Sequence, residues 1–276
     1  MSRLYVMKKG HEEIDLTARL PSVTLLEVRS GAPQLNPNYT AITGSDGQRL
    51  QSIAFNSSTV TVSLLIKGLN RGDFNLSKSA LQRELYARVP LRIRTSDNPG
   101  KAMWVVANPT DITPLSQSDD GQVDFTFTVI SGTKITPFRS DEIASNQDKL
   151  DFGMGIPDLD NLPSYSFSSN SFNIYNPSDL EIDPYIQHHD LIIKIRGNGS
   201  SVVVTNQTNG TSFTANTSLS GNDELVMNGI TLFKNGQAGQ VDTDFSHIVL
   251  AKGNNNITVS GLSGANVTFS FPFLYF

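Results

Sequence analysis

His188 and His189, with Glu181, Asp183 and Asp190 close by in the chain, come nearest to a metal-binding set. Imidazole and carboxylate are the ligands left to a transition metal when thiolate is absent. Neighbouring side chains on extended backbone point to opposite faces, so the two imidazoles do not converge on one ion. The pair reads as an exposed turn. Asp158-Leu159-Asp160-Asn161 opens like a calcium loop, but Pro163 and Ser169 stand where the sixth-position glycine and twelfth-position glutamate belong. It reads as a solvated segment. His11 and His247 are isolated, and no serine or aspartate has the surroundings of a triad. Neither Gly-x-Gly-x-x-Gly nor a Walker Gly-Lys-Ser is present. No catalytic residue, metal site or cofactor is predicted, and the chain is not expected to be an enzyme.

Arg83, Arg88, Arg92 and Arg94 form a cluster of another kind. Nucleic-acid binding calls for a basic stripe interleaved with aromatic rings, and only Tyr86 lies among these arginines. Guanidinium groups suit ion pairs across protein contacts, so the four are candidate inter-subunit contacts. Sugar binding would want an exposed aromatic platform. The one tryptophan, Trp104, sits in the apolar run Met103-Trp104-Val105-Val106 and reads as core, while Tyr165, Tyr175 and Tyr185 have nothing that singles them out. A carbohydrate-binding or adhesin module is the main alternative reading. A β-sandwich glycoside hydrolase would need paired carboxylates in a cleft, which no motif suggests.

The elements that must position these residues are mostly strands. The chain has 276 residues, 38% hydrophobic and 17% charged, which indicates a folded protein. It has no cysteine, which excludes disulfides, thiol nucleophiles and thiolate metal sites. Residues 1–140 hold 16 Lys/Arg against 12 Asp/Glu, whereas residues 141–276 hold 5 against 14. The halves therefore suit different surroundings. The first residues lack a signal-peptide pattern and no apolar run spans a membrane, so synthesis in a cytoplasm is expected, which the resemblance given below would make that of a bacterial host. The many Asn-x-Ser/Thr sequons then reflect an Asn/Thr-rich β domain rather than glycan sites.

Strands are predicted near Tyr5–Met7, Glu13–Leu16, Val23–Arg29, Ser58–Gly68, Leu91–Thr95, Ala102–Ala107 and Val123–Ile130. Residues 31–57, rich in Pro, Gly, Asn and Ser, read as a long functional loop. One helix is predicted with Leu76, Ala80, Leu81, Leu85 and Val89 on its buried face, Asn75 or Ser77 as N-cap and Pro90 as its stop. This outlines domains over 1–139 and 163–276 with a linker over 140–162. The second reads as a β-sandwich of short strands, with hairpin turns at Asn228-Gly229 and Asn235-Gly236.

The order of these segments resembles the distal tail proteins of siphophages, the long-tailed non-contractile phages. In the first half the likeness rests on Ile112-Thr113-Pro114-Leu115, Asp124 to Val129 and the single helix. In the second half it rests on Phe172 to Asn176-Pro177, Leu191 to Gly197, the two Asn-Gly turns and Gly253 to Gly261. The resemblance implies a mainly β protein: an N-terminal split β-barrel-like domain with one α-helix, then a C-terminal galectin-like β-sandwich. It implies a homohexameric ring at the virion tail tip, part of the baseplate. The ring would join the tail tube protein to the tail-associated tip protein and leave a channel through which DNA passes. The sandwiches would dock receptor-binding proteins or baseplate arms, with no membrane insertion. The stretch 31–57 then gains a purpose, reaching a neighbouring subunit or the tube.

Overall fold

The computed structural model describes residues 2–187, 190–239 and 241–276. The His188–His189 pair lies outside them. The protein is mainly β, and its internal contacts divide it into two units, residues 1–134 with Phe276, and 135–275.

Alternating apolar residues build the first unit. In Gly121–Val129 every second side chain, Val123, Phe125, Phe127 and Val129, is buried. Val60, Val62, Leu64 and Ile66 of Ser58–Ile66 face the same core. Seven strands run in the order Glu13–Asp15, Leu4–Lys8, Leu91–Thr95, Asn98–Ala107, Gly121–Val129, Ser58–Ile66 and Val23–Ser30. Their pairing is antiparallel throughout. The path does not close into a barrel. Val23–Ser30 is its last strand, paired along one side with Ser58–Ile66.

The helix Arg71–Leu85 covers this sheet, but not as the periodicity suggested. It starts earlier, capped by Asn70, whose side chain accepts from the Asp73 amide at 3.0 Å. Its buried face is Phe74, Ser77, Leu81, Glu84 and Leu85. Leu76 is 72% exposed and Val89 is exposed beyond the helix. Phe74 decides the rotation. Its ring lies so near Gly121 that a Cβ there would come within 2.7 Å of it, and at Gly68 a Cβ would come within 2.6 Å of the Asp119 carbonyl. With Phe74 seated on the two glycines, Leu76 must turn outward.

Residues 31–57 are also not the loop they resemble. Gln34–Ala41 and Gln48–Asn56 form a separate two-stranded antiparallel hairpin. Trp104, expected in the core, is only partly buried, because it alternates with the buried Met103 and Val105.

The second unit is a sandwich organised by two long paired strands, Ile192–Asn206 and Gly253–Ser270. Their register shifts between Arg196 and Asn198 and again between Gly199 and Val203. Gly261 has φ 83°, and a Cβ on it would come within 2.4 Å of the Ser201 carbonyl, so a side chain is excluded where the strands bend. Leu225–Asn228 joins one half of the long pair and Ser212–Leu219 the other. Lys234 pairs with Gln237, which leaves Asn235-Gly236 as a two-residue turn with φ of 50° and 77° at its two positions. The other turn uses Gly229 and Ile230, with Asn228 as the last strand residue.

Residues 140–162, read as a linker, count with this second unit. Ser140–Lys149 is a 3-10 helix with Ser140 and Ile143 buried, and Met154 is buried further on. Arg139 ties its start to the sheet, donating to Ser270 Oγ at 2.5 Å and to the Ser270 carbonyl at 2.6 Å.

Candidate assembly surface

The 34–56 hairpin separates apolar from polar residues by strand alternation alone. Leu35 pairs with Phe55, Pro37 with Ile53 and Tyr39 with Leu50, and directly opposed residues share a face. The other face carries Gln34, Asn36, Asn38 and Thr40 with Asn56, Ser52 and Arg49. A shift of register beside Asn38 inserts Gln51, which keeps Leu50 on the apolar side instead of turning it to the polar one. Gln51 accepts from the Asn38 amide at 3.4 Å there.

This apolar face is uncovered. Leu35, Tyr39, Leu50, Ile53 and Phe55 are 36–59% exposed, and Ile42 near the tip is exposed too. Phe55 has an aromatic neighbour in Phe276, at 5.3 Å between ring centres. A hairpin of two strands is marginally stable in water alone. One with a bare apolar face is built to be covered.

The four arginines separate into two pairs. Arg92 and Arg94, on Leu91–Thr95, converge on Glu13 of the neighbouring edge, at 3.1 and 2.6 Å. Arg94 is buried, and its guanidinium stands 4.0 Å over the Tyr5 ring. Burial pulls the Glu13 carboxyl upward, but the hydrogen bond and charge of Arg94, followed by those of Arg92, outweigh it and hold the group below its ordinary value. Both arginines thus pair with a carboxylate of their own chain. Arg83 and Arg88 are exposed on the helix and just after it. Exposed Leu76 lies two turns before Arg83 on the same stripe.

The other residues weighed for chemistry lie apart. Asp158 and Asp160 are exposed, and among the described residues no group of three His, Asp or Glu could hold a metal ion. His247 stands 3.3 Å from Asp183 and stacks on Tyr185. Tyr165 is buried and donates to the Tyr175 carbonyl at 2.8 Å, so it offers no platform. Tyr185 is exposed. Among the described residues no helix is long and apolar enough to cross a membrane.

Residues 9–128 match the family model described as the phage tail protein RIFT-related domain. That match lies within the first unit. No curated protein matches the chain in sequence. Solved structures extend the likeness over both units. The crystal structure of SPP1 Dit, described as a paradigm of hub adsorption apparatus in phages infecting Gram-positive bacteria, superposes with TM-score 0.68 at 14% identity, covering 98% of this chain and 99% of that one. The phage P2 baseplate in its activated, Ca-bound conformation contains a chain matching with TM-score 0.50 at 11% identity, with 98% of each chain covered. The two units therefore adopt the Dit fold.

The hairpin face is hidden in the composition of residues 31–57. Its signal was present: apolar residues at 35, 37 and 39 and again at 53 and 55, flanking Gly44-Ser45-Asp46-Gly47. Two prolines and a dense polar background masked it.

Proposed function

We propose that the chain is a structural hub of a non-contractile phage tail tip. Copies associate through the phage tail domain into a hexameric ring. The ring joins the tail tube to the tail-associated tip protein and leaves a channel for DNA. The second unit docks receptor-binding proteins or baseplate arms.

The observation that carries this reading is the bare apolar face of the 34–56 hairpin on a phage tail domain. Covering each half-exposed side chain is worth roughly 1 kcal/mol, so the five together favour association by roughly 5 kcal/mol per contact before entropy is counted. Rings form when two different surfaces of one subunit meet head to tail, and a projecting hairpin supplies one of them. The exposed Arg83 and Arg88 belong at protein contacts, since a basic channel wall would hold DNA by its phosphates. The full-length likeness to a hub protein and a baseplate chain supports the same role.

Native mass measurement of the purified protein tests the reading. Six copies of a 30.1 kDa chain give a species of about 181 kDa. A single 30.1 kDa species at every concentration, with or without the tip protein, would refute it.

A further inference from the structure

The second unit carries a polar hollow on the outer face of its long strand pair. Ile193, Ile195, Val267 and Phe269 point into the sandwich, so the alternate residues Lys194, Arg196, Asn266 and Thr268 face outward. Lys194 stands opposite Thr268 and Arg196 opposite Asn266, which sets the four side by side. Beyond Arg196 the register shifts, and the strands pass through Gly197 and Gly264. The bend there, with no side chain at Gly197, Gly221 or Gly264, leaves a cavity of about 530 Å³. Its walls hold no apolar side chain. Glu224 closes one end, paired with Arg196 at 2.8 Å. Its loop is fixed: the Glu224 amide donates to Asn235 Oδ1 at 2.9 Å, and Asn235 donates to Asp223 at 2.8 Å. Both hydrogen bonds from Arg196 go to Glu224 Oε1. Glu224 Oε2, the Lys194 ammonium and the side-chain amides of Asn198 and Asn266 have no hydrogen-bond partner among the described residues.

We propose that this hollow binds a saccharide bearing an acidic group, a phosphate or a carboxylate. Protein contacts are anchored by aromatic and aliphatic side chains, and these walls offer none. They offer fixed donors and acceptors, the set that hydroxyl groups satisfy. Arg196 donates and Glu224 accepts side by side, while each of the Asn198 and Asn266 amides does both. The acidic group follows from the charges. Residues 141–276 hold 5 Lys/Arg against 14 Asp/Glu, and two of the five, Lys194 and Arg196, meet here. Glu224 neutralises Arg196, which leaves Lys194 as the cation for an anion. The aromatic surface that a sugar ring calls for lies on the same face. Lys194 is opposite Val226 and Val226 opposite Phe233, so the partly buried Phe233 is two strand spacings, about 10 Å, away. That reach suits an oligosaccharide rather than a single sugar. The site belongs to the second unit alone and does not depend on how copies associate.

Binding of the purified full chain to immobilised hexose oligomers tests the assignment, with neutral oligomers set beside the same oligomers carrying phosphate or carboxylate groups. The acidic oligomers are expected to hold the protein about tenfold more tightly or better, the worth of one charge-assisted hydrogen bond. Lys194→Ala should abolish that preference, and Arg196→Ala should weaken both kinds of oligomer about tenfold. Both residues are exposed, so both variants should keep the wild-type unfolding midpoint. Binding to no surface, or binding that these two variants leave unchanged, would overturn the site. Equal retention on neutral and acidic oligomers would overturn its acidic specificity. A poly-glutamate surface that holds the protein as tightly would assign the patch to an acidic protein segment and overturn the saccharide. Inorganic phosphate competing as well as the acidic oligomers would reduce the hollow to an anion site, with the same consequence.

Discussion

Glu13 accepts from Arg92 and Arg94 at the edge of the first sheet, and Arg94 also covers Tyr5. Removing a carboxylate that serves two largely buried guanidinium groups breaks both ion pairs at once. Glu13→Gln is therefore expected to destabilise the first unit by about 3 kcal/mol, measured by denaturant unfolding. The pH dependence follows from the lowered carboxyl. A depressed pKa gives stability that is fully present above the unfolded value, near 4.5, and is lost as the pH falls through the folded value. Wild type should lose this component below about pH 4.5, and Glu13→Gln should show a shallower acid-side loss. In the second unit three fully buried asparagines hold the chain around residue 250. Asn206 donates to Asn255 and to the Val249 carbonyl, both at 2.8 Å. Asn255 bonds both the amide and the carbonyl of Ala251. Asn176 donates to the Leu250 carbonyl at 3.3 Å and accepts from the Ser178 amide. Asn255→Ala strands several buried polar groups and should cost about 2–3 kcal/mol by the same measurement. The Asn176-Pro177 and Gly253 to Gly261 motifs were visible in the sequence. Their joint burial was not, because pairing over such separations leaves no local pattern.

At the scale of elements, the sequence is legible wherever one local rule decides. Strict alternation located Gly121–Val129, and Asn235-Gly236 located a hairpin turn. The helix was found, but its buried face was misjudged. The apolar count favoured Leu76 and Val89, while the close approach of Phe74 to two glycines settled the rotation. Its start at Asn70 can be checked directly: Asn70→Ala should cost about 1 kcal/mol, the usual loss of a side-chain cap. The 34–56 hairpin shows the opposite case. Its strands are held by pairing with each other and by whatever covers the apolar face, so composition alone favoured a loop. Ile53→Asp is expected to leave the unfolding midpoint of the monomer within about 0.5 kcal/mol of wild type, as exposed positions do, while reducing assembly seen by sedimentation.

At the scale of the molecule, the two units differ in surface and in charge. The first unit carries the uncovered hairpin, and the second unit carries much of the negative charge. The second unit is closed by the last residues of the chain: Phe271, Phe273, Leu274 and Tyr275 are buried, and Tyr275 donates to the Met154 carbonyl at 2.8 Å. Phe273→Ala should cost about 3–5 kcal/mol and lower the melting temperature of that unit first. Electron microscopy of the purified protein, alone and mixed with the tip protein, tests the central claim most directly. The predicted result is a six-fold ring around an open centre, lost when residues 34–56 are replaced by a short Gly-Ser linker. Particles of single-chain size in both samples, or rings that survive that replacement unchanged, would contradict it.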